Sequence, residues 1–227
     1  MRWWDVRDKV VHTCMRIGRD PSEVTIVAVA KKHTAAAVRE AIAAGVTDIG
    51  ENYVQELLDK QPAVATQVRW HFIGRLQRNK VRQVVGRVAL IHAVDSLALA
   101  QEIDKRAAAI GVVQPILLAV NIAGDDAKGG VTPASAPMLL GAFAGLANLR
   151  CDGFMTMPPE DPVATATAFN GLRELRDRLR APHLPLPILS MGMTGDFEQA
   201  IAAGATHLRI GTAIFGERPA PVDDTLT

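Results

Sequence analysis

Eight short runs of β-branched and other apolar residues recur along the chain. They are VTIVAVA (24–30), VTDIGE (46–51), VRWHFIG (68–74), ALIHAVD (89–95), PILLAVN (115–121), LRCDGFMTM (149–157), LPILSMG (186–192) and THLRIGT (206–212). Most are continuously hydrophobic rather than alternating, the pattern of parallel strands covered on both faces. Between them the apolar positions repeat at helical spacing. Residues 34–44 open at Thr34, a fitting N-cap, and close at Gly45. Residues 96–110 start at Ser96 and stop before Gly111, and residues 162–180 carry Pro162 in the first turn and stop before Pro182. The phrase AIAAG occurs at 41–45 and again at 200–204, each time ending a helix at glycine ahead of a strand, so the two joints look equivalent.

Strands alternating with helices build right-handed βαβ units, and eight of them close a (β/α)8 TIM barrel. A doubly wound open sheet is the competing arrangement, but it usually has fewer strands and a different glycine fingerprint. With 227 residues, 48% of them apolar and no linker in view, the chain is expected to form one domain over 1–227. An extra N-terminal helix falls within 1–20, and a flexible tail is expected at 218–227.

Composition removes several classes of partner. A formal net charge of +1 and only 4% aromatic residues give little reason to expect nucleic acid or an anionic membrane. No run approaches the ~18 apolar residues of a membrane span, and the charged start MRWWDVRDKVVHTCMRIGRD lacks the apolar centre of a signal peptide. A cytoplasmic protein is the expectation. Cys14 and Cys151 match no metal or redox spacing and read as reduced thiols.

In such barrels the chemistry gathers at the C-terminal ends of the strands. Those ends carry Lys31–Lys32, Glu51–Asn52, Gly74–Arg75, Asp95, Asn121, Met155–Thr156, Ser190–Gly195 and Arg209–Thr212. SMGMTGDFEQAI (190–201) and RIGTAIFG (209–216) leave the seventh and eighth strands, where barrels frequently bind phosphate. Glycines let backbone N–H groups approach an anion, and Thr194 and Thr212 would add hydroxyls; tight turns and helix packing are the other reading. Asp196 would either compete with such an anion or serve as a cap pointing away. The two lysines also admit two readings, a solvated strand end or an imine-forming amine. An amine of ordinary pKa ~10.4 needs desolvation or a cationic neighbour to be nucleophilic. Alternation places Lys31 on the side of Val27 and Val29 and Lys32 on the other, without saying which side faces inward. His71 reads as a core histidine with satisfied hydrogen bonds, and His33 as a loop residue beside the lysines.

The segments VAVAKKHTAAAVREAIAAGVTDIGENYVQE, WHFIGRLQRNK (70–80), CDGFMTMPP (151–159) and LSMGMTGDFEQAIAAGATHLRIGTAIFGER (189–218) together resemble the family of pyridoxal phosphate homeostasis proteins. That family's barrel is of the alanine-racemase N-terminal-domain type. The resemblance implies pyridoxal 5′-phosphate (PLP) as cofactor, with Lys31 as its imine partner and Asn52 near its ring. It implies a phosphate cradle from Ser190, Met191, Gly192, Thr194, Gly195, Gly211 and Thr212, and Arg209 facing the pyridine nitrogen. It further implies a role in cofactor supply and amino-acid/keto-acid balance, as a monomer with PLP-dependent apoenzymes as recipients, without robust catalysis. The chain departs from the family's pattern at Ala30, at Lys32-His33-Thr34, at Arg75 and Arg78, and mildly at Thr194. Two other functions stay open on the residues: a single-domain PLP-dependent racemase or lyase, and an aldolase whose lysine attacks the substrate itself. A two-base racemase would need a second acid/base, which the related racemases draw from a further domain that the barrel here is expected to leave no room for.

Overall fold

The computed structural model describes residues 3–64, 68–125 and 128–217; the expected tail at 218–227 lies outside them. Eight parallel strands close a barrel in chain order, each paired with its sequence neighbours and β1 with β8. The strands are β1 (Thr25–Val29), β2 (Asp48–Glu51), β3 (Arg69–Phe72), β4 (Leu90–Val94), β5 (Gln114–Ala119), β6 (Leu149–Met155), β7 (Ile188–Ser190) and β8 (His207–Ile210). All eight apolar runs therefore become strands, each a little shorter than its run. In β5 the consecutive Ile116, Leu117 and Leu118 are all fully buried, because side chains on both faces of such a strand meet protein. Each contributes roughly 1.5–3 kcal/mol of burial.

Helices wrap the outside: α1 (Trp3–Arg16), α2 (Ala35–Ala43), α3 (Val54–Val64), α4 (Leu97–Ala109), α5 (Ala136–Phe143), α6 (Pro162–Leu179), α7 (Phe197–Ala202) and α8 (Thr212–Phe215). A 3₁₀ turn at Arg78–Gln83 stands where a helix between β3 and β4 would be. Thr34 caps α2 by accepting from the Ala37 N–H, and Ser96 caps α4 by accepting from Leu99. Asp161 does the same for α6 through Ala164, with Pro162 at its first position. In α1 the buried Trp3, Val6, Val10 and Cys14 recur every three or four residues, as a single apolar stripe requires. Among the described residues no helix is long and apolar enough to cross a membrane.

The barrel interior is divided. One apolar cluster holds Leu90, Leu117, Ala119 and Met155, while Ile26, Ala28 and Ala30 belong to the larger core under the helices. By alternation Val27 and Val29 face the barrel axis, and a Cβ on Gly50 would lie 2.9 Å from Val27 Cγ1. The rest of the interior is polar: Asp48, His71, His92, Ser190 and Arg209 are buried there, with His207 half-buried beside them.

Candidate functional site

Lys31 follows β1 on the parity of Val27 and Val29, the side opposite the Ile26, Ala28 and Ala30 side chains that pack under the helices. The register continues this placement. Val29 pairs with Gly50 and Val27 with Arg209. Gly211 lies against Val29, and Lys31 follows two residues beyond the Val29–Gly50 pair, at the rim where β2 leads into Asn52 and β8 into α8. Lys31 is half-buried, whereas Lys32 is exposed.

The main chain around Lys31 is gripped from the outer layer. Lys60, on α3 and only 6% exposed, donates to the Ala30 carbonyl at 2.7 Å, to Glu51 Oε1 at 2.7 Å and to Glu56 Oε2 at 2.6 Å. Glu56 Oε2 in turn accepts the Lys32 N–H at 2.7 Å. The bonds on either side of Lys31 thus converge on one ammonium. Lys32 pays a conformational cost for this, with φ of 63° in the left-handed region. Burial pushes the Glu51 carboxyl up to about 7 despite its ammonium partner, and its Oε2 has no hydrogen-bond partner.

Asn52 also has a buried, unpartnered Oδ1. A Cβ on Gly74 would fall 2.2 Å from the Asn52 carbonyl oxygen, so glycine is what lets the loop after β3 close over the Asn52 main chain. Beside it lies a cavity of about 960 Å³ whose lining includes Asn52, Tyr53, Arg75, Arg78 and Asp95. His33 stacks on Phe215 with centroids 5.1 Å apart, joining the loop after β1 to α8.

Across the mouth, the loops after β7 and β8 meet where Thr212 Oγ1 donates to Thr194 Oγ1 at 3.2 Å. Gly192 has φ of 95°, and a Cβ there would lie 2.5 Å from that of Ala200. Its turn leaves the Thr194 and Gly195 N–H groups without a backbone acceptor among the described residues. Asp196 points back into its own loop and accepts the Met193 N–H at 2.5 Å, without a side-chain cap bond to α7. Met191 packs into the outer core and gives its N–H to the His207 carbonyl, so only its own carbonyl is left for a ligand.

Arg209 is buried and donates through Nη1 to Ser190 Oγ at 2.8 Å and through Nη2 to the Thr156 carbonyl at 2.8 Å. Burial lowers its pKa to about 10, leaving it a cation at neutral pH. His71 bridges His92 and Asp48, in keeping with a satisfied core histidine. Asn121 instead ties down its own loop through Asp125 and Lys128. Lys60, Glu56, Asp48 and His92 were not singled out on the sequence; only the Glu56–Lys60 spacing of four on one helix could have flagged a pair. Among the described residues no group of three or more His, Cys, Asp or Glu side chains is arranged to hold a metal ion.

Residues 10–219 match the family described as alanine racemase, N-terminal domain. A pyridoxal phosphate homeostasis protein of Aquifex aeolicus is 44% identical over 94% of this chain and 95% of its own length. The solved structure of PipY from Synechococcus elongatus with PLP bound is 36% identical, with a TM-score of 0.80 over 91% of this chain and all of that one. An alanine racemase of Clostridium difficile, at 14% identity and TM-score 0.73, covers 96% of this chain and 58% of the racemase; it shares the fold.

Proposed function

This chain belongs to the pyridoxal phosphate homeostasis proteins, within the alanine racemase N-terminal domain family, and on that premise we propose that it holds PLP as an imine on Lys31. The observation that supports this reading most is the strand register, which brings a half-buried lysine to the barrel rim two residues beyond the Val29–Gly50 pair, beside the strand ends that lead into Asn52 and Gly211. The neighbouring groups fit such a guest. The buried, unpartnered Asn52 Oδ1 offers an acceptor just past the end of β2. The Thr194 and Gly195 N–H groups, with the Thr194 hydroxyl that accepts from Thr212, offer donors to a phosphate. Arg209 brings a fixed cation.

When bound, the cofactor supplies an aldehyde carbon and a conjugated ring. Facing the pyridine nitrogen, Arg209 would keep that nitrogen unprotonated, and so blunt the ring as an electron sink. That favours holding the cofactor over extended chemistry on it. In this reading the chain works in the cytoplasm as a monomer, passing cofactor to PLP-dependent apoenzymes and so bearing on amino-acid/keto-acid balance.

The test is an absorption spectrum of the protein incubated with PLP, followed by borohydride reduction and peptide mass spectrometry. A visible imine band is expected in the parent protein and in Lys32→Ala, and none in Lys31→Ala, with the pyridoxyl adduct on Lys31. An adduct on another lysine, or a band that survives Lys31→Ala, overturns the assignment.

A further inference from the structure

The polar half of the barrel interior contains a continuous chain of hydrogen bonds. Arg209 Nη1 lies 2.8 Å from Ser190 Oγ, and Ser190 Oγ lies 2.9 Å from His92 Nδ1. His92 Nε2 lies 3.0 Å from His71 Nδ1, and His71 Nε2 lies 2.9 Å from Asp48 Oδ1. Five strands contribute, and every member is at most 5% exposed. At the far end Asp48 is gripped by Arg69, through Nε at 2.7 Å and Nη2 at 2.8 Å, and by the Thr47 hydroxyl at 2.7 Å.

The direction of this chain follows from donor and acceptor chemistry. A guanidinium only donates and an ionised carboxylate only accepts, and His71, Arg69 and Thr47 hold Asp48 well below the usual carboxylate range. Arg209 therefore donates to Ser190, whose single hydroxyl proton can pass on to His92 Nδ1. His92, neutral because burial holds its pKa well down, then donates from Nε2 to His71 Nδ1. His71 completes the chain from Nε2 to Asp48. The reverse order would require a second proton on His71, because a ring donating from Nδ1 alone would set a bare Nε2 against the carboxylate, two acceptors 2.9 Å apart.

We propose that Arg209, Ser190, His92, His71 and Asp48 form a one-way hydrogen-bond relay that pins the Arg209 guanidinium, with His92 as its positioning residue. The relay deepens the reading above, since a pinned guanidinium is what a pyridine nitrogen would meet, but the chain itself is independent of any cofactor. His207 supplies an internal control. Its ring centroid is 6.1 Å from that of His71 and 6.2 Å from that of His92, yet its Nδ1 contacts Thr206 and it takes no part in the chain.

Both readouts use the full chain without PLP, so they stand or fall separately from the imine band. Nitrogen-15 NMR of the parent protein should show His92 as a neutral ring protonated at Nε2 and bare at Nδ1. A ring of His92 protonated at Nδ1 overturns the proposal, and this measurement decides the matter should a variant fail to fold. In His92→Leu, hydrogen exchange of the Arg209 guanidinium should quicken about tenfold or more, the equivalent of one charged hydrogen bond, while His207→Leu leaves it within about twofold. Equal exchange in the two variants assigns His92 to packing alone and overturns the proposal.

Discussion

The two cations of the candidate site are held in opposite ways. Arg209 is fixed through its own side chain, from inside the barrel, by Ser190 and the Thr156 carbonyl. Lys31 is fixed through its main chain, from the helix layer, by Lys60 acting on the Ala30 carbonyl and by Glu56 acting on the Lys32 N–H. The difference suits the two roles proposed above. A charge that faces a ring is best immobilised outright, and an amine that forms and breaks a covalent bond needs a steady root. Both anchors are buried and each involves a charged group, Lys60 with two carboxylates in one case and the Arg209 guanidinium on neutral acceptors in the other, so each is worth more intact than in part.

The sharpest way to break the comparison is to remove the outer anchor. Lys60→Met leaves Glu51 and Glu56 without the ammonium they share at 2.7 and 2.6 Å, and the Ala30 carbonyl without its donor. Stranding buried charge in this manner costs about 3–5 kcal/mol. Urea unfolding at pH 7 should show a loss of that size. A loss under about 1 kcal/mol would mean that β1 keeps its position without Lys60, and the contrast with Arg209 would fail.

Next in size is a pH effect confined to the inner side. Burial lowers the His207 pKa to about 4 from an ordinary 6.5. A depressed folded-state pKa means that the unfolded chain binds the proton first, so the associated stability is complete above about pH 6.5 and disappears as pH falls toward 4. Glu51 acts in the opposite sense. Its raised pKa of about 7 contributes stability that is complete below about pH 4.5 and lost as pH rises to 7. The difference between parent and His207→Leu cancels the Glu51 part. Across pH 7 to 4 the parent should lose on the order of 2–3 kcal/mol more than the variant, read from urea unfolding at each pH. Parallel pH profiles would show that His207 is as readily protonated in the fold as outside it.

The same contrast explains what the sequence revealed and what it hid. The outer frame was legible because its causes are local: apolar runs such as ILLAV for strands, and Thr34, Ser96 and Pro162 for helix starts. The mouth was legible as a set of strand ends, and the family resemblance singled out Lys31 among them. The anchors were not. Lys60 closes an ordinary helical phrase, LLDK, and nothing local announces that it is buried. His92 and Ser190 are 98 positions apart and become hydrogen-bond partners only when the barrel closes. A single histidine set into each of three apolar strands, at 71, 92 and 207, was the one available sign of a polar interior. Lys31 or Lys32 could not be chosen by parity until Ile26, Ala28 and Ala30 were seen beneath the helices.

The smallest expected effect lies next to the anchored root. Lys32 keeps φ at 63° because its N–H is drawn to Glu56 while Ala30 is drawn to Lys60. For a side chain with a Cβ that conformation costs roughly 1–2 kcal/mol, which glycine avoids. Lys32→Gly also frees the unfolded chain, offsetting about 0.4–1 kcal/mol of the gain. A net stabilisation of roughly 0.5–1 kcal/mol should remain, with the imine band unchanged, because the Glu56 bond uses only the N–H. Should Lys32→Gly instead destabilise the protein and weaken the band, the exposed lysine side chain would be holding the turn, and the main-chain account of how Lys31 is positioned would give way to a side-chain one.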